Sequence, residues 1–300
     1  MDDMVMTRRL LLLSGATLAA SRCVEALAFR DAVLLTAGEV IERLKKGTGI
    51  PWNADTVDKI VAGGEGTRVR GVAVTMMATA DVLQRAVAGG MNMVITHEPT
   101  FYSHLETREA LLADPTFQFK TRLIDEHDVV VFRFHDHWHR MKPDGIAEGM
   151  TRELGWMKNV KPGDPFRFEF RETPLGEFAA AMATRLEAHS MRVVGDPKLP
   201  VRRVAANWGY GSLMPNLLKV VEDPEVDLMI VGETREWELV EYVQDQIASG
   251  AKKALIVLNH VVSEQAGMKY CAEWLRPLVP EVPVMFVATK EPFWVPRAAR

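Results

Sequence analysis

Short apolar runs alternate along this chain with amphipathic stretches, and the runs are of strand length. Residues 72–75 (Val-Ala-Val-Thr) precede Thr79 and Asp81, either of which suits the N-cap of an amphipathic helix over 82–88. Gly89-Gly90 stops that helix, and Met93-Val94-Ile95-Thr96 follows as the next strand. Asp128 opens the run at 129–134 (Val-Val-Val-Phe-Arg-Phe), the clearest strand in the chain. The stretch Lys161-Pro162-Gly163-Asp164-Pro165 predicts a joint between two lobes, the first over about 29–160 and the second over about 166–300.

Beyond the joint the same grammar returns. A helix is expected over 175–188, strands over 201–206 and 228–231, and a helix over 236–247 that Gly250 stops. A buried strand follows at 254–258. The last is expected at 282–287, with Pro283 near its start, where a missing N–H is tolerated. Near-continuous apolar strands alternating with helices predict an α/β fold of two related βα lobes with mixed, mostly parallel sheets covered on both faces. A faint internal repeat agrees: residues 86–97 and 246–260 both run helix, glycine turn, buried strand, histidine.

Composition narrows the picture only a little. At 300 residues, 48% hydrophobic and 25% charged, the chain is ordinary globular material with ample core. A net charge of -4, with no cluster of Lys or Arg, excludes a basic nucleic-acid face. At the N-terminus, Thr7-Arg8-Arg9 leads into four leucines and a small-residue stretch, and Ala26-Leu27-Ala28 supplies a cleavage site. Residues 1–28 therefore read as a twin-arginine-type export signal, which predicts a periplasmic or exported protein with no membrane attachment after its removal. The competing reading is an amphipathic first helix; the apolar run is too short to span a bilayer of ~30 Å. Cys23 leaves with the signal, so Cys271 has no partner for a disulfide and is expected as a small core residue of a helix.

The chemistry lies in the histidines. Of eight, His97, His135, His137 and His139 fall at or just beyond two strand ends, and His260 just beyond a third. Ligands of open α/β sheets bind at such carboxyl ends. His104 is more distant from its strand, and His127 and His189 are expected at the surface. Neighbours on an extended backbone point to opposite sides, so His97 and Glu98 serve two ions or are rotated together by a turn. In extended form His135, His137 and His139 share one face, with Asp136 opposite and suited to orient a ligand histidine. A solvated polar loop is the competing reading. His260 and Glu264, four apart, share a helix face, with Ser263 as the expected N-cap; alternatively Glu264 only complements the helix dipole.

These residues resemble a known family. Ile95-Thr96-His97-Glu98-Pro99 resembles an I-T-H-H-P motif, and Asn259-His260-Val261-Val262-Ser263-Glu264 resembles G-H-x-x-S-E. Residues 130–149, with His135 and His139, resemble a strand followed by H-T-x-x-D. All three belong to the NIF-three-like group of dinuclear-metal-centre hexameric proteins, often called GTP cyclohydrolase one type two homologues. The likeness runs in motif order from about residue 35 to residue 287. It implies a homohexamer and two divalent ions held by His97, Glu98, His139, His260 and Glu264, with Glu264 bridging. His135, Asp136, His137 and His104 stand nearby as supporting or alternative ligands. Glu98 replaces the family's second His and His139 its Asp, a paired exchange that keeps three imidazoles and two carboxylates. Such donors suit Zn, Fe, Mn or Ni. The chemistry implied is hydrolysis of a small phosphoester, nucleotide or cyclic amide by a metal-bound hydroxide. No general base is assigned; His135 and His137 are candidates by proximity. A non-catalytic metal-binding or scaffold protein forming a ring is the alternative. A periplasmic solute-binding protein leaves the strand-end histidines unexplained.

Overall fold

The computed structural model describes residues 35–296. The expected export segment, 1–28, lies outside the described residues. Among them, no helix is long and apolar enough to cross a membrane.

The first region contains α1 (Ala37–Thr48), β1 (Ile60–Ala62), β2 (Val72–Thr75), α2 (Ala80–Ala88), β3 (Met93–Thr96), α3 (Pro115–Glu126) and β4 (Val130–Arg133). Local sequence sets their ends. Thr36 and Glu39 form a capping box on α1, Thr79 accepts the Val82 N–H at the start of α2, and Asp114 caps α3. Every position of β2, β3 and β4 is buried. Alternate residues explain why: Val74, Ile95 and Phe132 enter a core that also holds Val40 and Leu44, while Ala73, Val94 and Val131 pack with Leu83, Phe117 and Ile124 of α2 and α3.

Two short helices follow, α4 (Asp136–Arg140) and α5 (Gly145–Leu154), and then the second sheet begins. Its strands are β5 (Val160–Lys161), β6 (Asp164–Pro174), β7 (Arg192–Val194), β8 (Pro200–Tyr210), β9 (Leu228–Glu233) and β10 (Ala254–Val257), in the order β5-β6-β8-β9-β10-β7. Interleaved are α6 (Leu175–Leu186), α7 (Leu218–Glu222), α8 (Glu241–Ala248) and α9 (His260–Leu275). The expected joint at 161–165 is the turn of the β5–β6 hairpin, with Gly163 at φ +86. Only β8–β9 and β9–β10 are parallel in this sheet; its other pairings are antiparallel, so it is mixed rather than mostly parallel.

The second lobe does not run to the end of the chain. β11 (Val284–Phe286) returns to the first sheet and pairs in parallel with β2, giving the order β1-β4-β3-β2-β11. All pairings there are parallel except β1–β4. α9 joins the halves, touching β2 and β11 of one sheet and β8 and β9 of the other. It also packs closely on α5, where a Cβ on Gly149 would fall 2.5 Å from the Gly267 Cα. Cys271 is fully buried in this packing. The arrangement sets the ends of β3 and β4 opposite those of β8, β9 and β10.

Candidate metal centre

Three local structures carry the histidines inward. β3 ends at Thr96, and the next two residues, His97 and Glu98, enter the space between the sheets. β4 ends at Arg133, after which Asp58 governs the backbone. Its carboxylate accepts the N–H groups of His135 (2.6 Å), Asp136 (2.9 Å) and His137 (2.9 Å), which turns the chain at once into α4. The expected extended run is therefore a helix. His135 and His139, four apart, share its inner face, and their rings lie 4.9 Å apart. His137 points the other way. Its Nδ1 is 2.7 Å from Asp58, its Nε2 accepts the Asn53 N–H at 2.8 Å, and its ring stacks on Trp52. With both nitrogens satisfied in the core, His137 is neither a supporting ligand nor a base.

The third structure is the start of α9. Its N-cap is Asn259, at φ +92, whose side chain accepts the Val261 N–H; Ser263, the expected cap, lies a turn further in. The Ser263 hydroxyl donates to the His260 carbonyl and accepts the Gly209 N–H, tying the helix to β8. His260 and Glu264 share the inner face, with Nε2 and Oε2 3.0 Å apart.

The groups converge. Donor atoms of His97, His135 and His139 lie within 4.8 Å of one another, as do those of His97, Glu98 and Glu264, so His97 belongs to both triads. Glu264 reaches His97 Nε2 at 3.7 Å and His139 Nε2 at 3.9 Å. Glu98 Oε1 lies 3.3 Å from His260 Nε2 and 3.8 Å from His135 Nε2. Each inward imidazole is held from behind through Nδ1: His97 by the Phe134 carbonyl (3.2 Å), His135 by Asp136 (2.9 Å), His139 by Asp144 (2.9 Å), and His260 by Glu233 (3.2 Å). Anchoring of this kind presents Nε2 to a ligand and raises its basicity.

The electrostatics divide the imidazoles. Burial, reinforced by His135 and His139, pushes His97 well below the ordinary imidazole range. A carbonyl only accepts, so its Nδ1 carries the proton and Nε2 keeps a lone pair. That Nε2 is buried with no hydrogen-bond partner. For His260, burial is outweighed by hydrogen bonds to Glu233, Glu264 and Glu98, and its pKa is pushed up to about 12. For Glu98, likewise, burial would raise the pKa, but His260, His135 and Arg133 hold it at about 2. Buried in this cluster, then, are a neutral imidazole offering a lone pair and carboxylates drawing positive charge. These donors fit a divalent cation.

A cavity of about 630 Å³ opens onto the cluster. Trp208 and Tyr210 from the end of β8, Glu233 from β9, and Tyr102 and His104 from the loop after β3 line it. His104 stands at the rim, its ring 6.3 Å from that of His135 and edge-on to it. The five residues expected as ligands are thus brought together, and His135 joins them from the supporting set. Asp136 stands behind His135, its other oxygen accepting the Thr56 hydroxyl and the Val57 N–H. Arg133, Asp58, Asp144, Glu233 and Gly209 also shape the site without having been singled out in the sequence.

Comparison with known proteins agrees with this architecture. A family model described as Duf34/NIF3 (NGG1p interacting factor 3) matches residues 40–292. The chain belongs to the DUF34/NIF3 family. Among solved structures, a Bacillus cereus protein related to NIF3 is similar at a TM-score of 0.67 and 15% identity, over 88% of this chain and 100% of that one. The protein ybgI, described as of unknown function, is similar at 0.66 and 19%, over 86% and 100%. A Staphylococcus aureus hypothetical protein, SA1388, is similar at 0.64 and 17%, over 87% and 99%. At these identities the likeness is one of fold. No curated protein matches.

Proposed function

We propose that this DUF34/NIF3 protein holds two divalent metal ions and is a metal-dependent hydrolase of a small molecule. The observation that carries the metal reading is the buried, unpartnered Nε2 of His97, set between the Glu264 carboxylate and the rings of His135 and His139. Leaving such a polar atom unsatisfied costs ~1–3 kcal/mol, which a coordinated cation removes. The triad of His97, His135 and His139 would hold one ion, and Glu98 and Glu264, with His260 beside both, would hold the other. Zn, Fe, Mn and Ni all suit the donors. Charge supports the number: Glu98, Glu264, Asp136, Asp144 and Glu233 surround the cluster, and Arg133 is the buried guanidinium that opposes them.

Bound divalent ions supply Lewis acidity and lower the pKa of a water, the requirements for hydrolysis at neutral pH. The protein's own part is preorganisation. The Nδ1 anchors fix where each Nε2 points, and the Tyr102, Trp208 and Tyr210 rings wall the cavity. Among the described residues no lysine or arginine lines it, so an anionic substrate would find its positive charge at the cluster itself.

The test is turnover. Metal-loaded protein is screened against phosphoesters, nucleotides and cyclic amides, beside His260→Ala. Hydrolysis of one class, lost by at least about a hundredfold in the variant, supports the reading. Activity indifferent to His260→Ala refutes the metal mechanism. Stoichiometric metal without turnover on any class refutes the hydrolase and leaves a metal-binding protein.

A further inference from the structure

Arg133 is an unusual occupant of its position. It ends a central strand, is fully buried, and carries a permanent charge into a region that excludes water. Burial of a guanidinium is tolerated where each donor finds a partner. Here every partner lies in one segment, residues 97–104. Nε donates to the His97 carbonyl at 3.1 Å, one terminal nitrogen donates to the His104 carbonyl at 2.5 Å, and the other lies 3.5 Å from Glu98 Oε2. The geometry solves a problem posed by adjacent ligands. His97 and Glu98 would diverge on an extended backbone. Arg133 braces the carbonyl between them while the Thr96 hydroxyl donates to the Glu98 carbonyl at 3.1 Å. It also divides the Glu98 carboxylate, drawing Oε2 to the guanidinium and leaving Oε1 toward His260 and His135.

We propose that Arg133 is the positioning residue of the His97–Glu98 pair: it makes Glu98 a one-oxygen ligand and holds the turn that lets two consecutive residues face the same ions. The proposal rests on the metal reading above but not on turnover. A lysine could keep the charge and not the fork, so Arg133→Lys separates electrostatics from geometry.

The test titrates metal-stripped full-length protein with Co(II), following visible absorption and competition with a chromophoric chelator. Arg133→Lys is expected to lower affinity by about 10–100-fold and to change the Co(II) spectrum, with a near-native thermal melt. In a Glu98→Gln background the same change is expected to cost less than in the wild type, because the contact with the Glu98 carboxylate is already weakened there while the braces on the His97 and His104 carbonyls are lost in both. A native spectrum and affinity in Arg133→Lys overturns the proposal, as does an equal loss in both backgrounds. Those results differ from wild-type protein that binds no Co(II), which overturns the metal reading as well.

Discussion

Gly209 stands at φ +77 on the wall of the cluster, and a Cβ there would fall 2.3 Å from Glu264 Oε1 and 3.3 Å from His260 Nε2. Gly209→Ala is expected to displace the Glu264 carboxylate and to weaken divalent-metal binding by about tenfold or more. Calorimetric titration checks this; unchanged affinity in a folded variant would show that Glu264 is no ligand. Proton linkage offers a second test at this scale. With its pKa pushed up to about 12, His260 holds a proton throughout the neutral range, and a cation must displace it. Metal loading at pH 7 is therefore expected to release protons, and apparent affinity to rise by up to about tenfold per pH unit. Titration heats that do not vary between buffers of different ionisation enthalpy would contradict the assignment. Strand-end position and, for His260 and Glu264, i,i+4 spacing are local signals that made the histidine cluster legible, while the choice of the five expected ligands came from the family resemblance. Arg133, Asp58, Asp144 and Glu233 were not legible, since a charged side chain behind a ligand is recognisable only once distant segments are paired.

Among the elements, α4 shows what a local pattern can conceal. His135, His137 and His139 satisfy a period of two as well as His135 and His139 satisfy a spacing of four, and the choice is made by Asp58, 77 residues before His135. Asp58→Ala leaves three N–H groups and the His137 Nδ1 without their acceptor. Each unsatisfied buried group costs ~1–3 kcal/mol, so stability is expected to fall by at least about 2 kcal/mol. Metal affinity should fall with it, because His135 and His139 lose their common face. Denaturant unfolding and Co(II) titration measure both; a stable variant with native affinity would rule out this role. β6 is a different case. Phe166, Phe168 and Phe170 alternate with Arg167, Glu169 and Arg171, a plain strand signal that the supposed joint at 161–165 obscured. β8 runs on past residue 206 to Tyr210, because Asn207–Tyr210 continues the ladder with β9 across a bulge, which apolar continuity does not reveal.

For the whole molecule, the return of β11 to β2 and the position of α9 between the sheets mean that neither half closes its core alone. One core cluster includes Val74 and Ile95 of the first sheet together with Val204, Ile230 and Ile256 of the second. Unfolding is accordingly expected as one transition, with far-UV circular dichroism and tryptophan fluorescence coinciding. Two separated transitions would show independent lobes. The α/β class and most strands could be read from apolar runs, but the crossing could not, since a three-residue strand names no partner. Export and ring assembly are also proposals at this scale. A fusion of residues 1–35 to a reporter should be exported, and light scattering should give six times the chain mass; retention in the cytoplasm or a monomeric mass would count against them.

The metal content of the natively purified protein tests the central claim most directly. Elemental mass spectrometry is expected to find two divalent ions per chain in the wild type and fewer than one in folded Glu264→Gln and His97→Ala. Folded wild-type protein that carries no divalent metal and takes up none, or equal content in all three, would contradict the account.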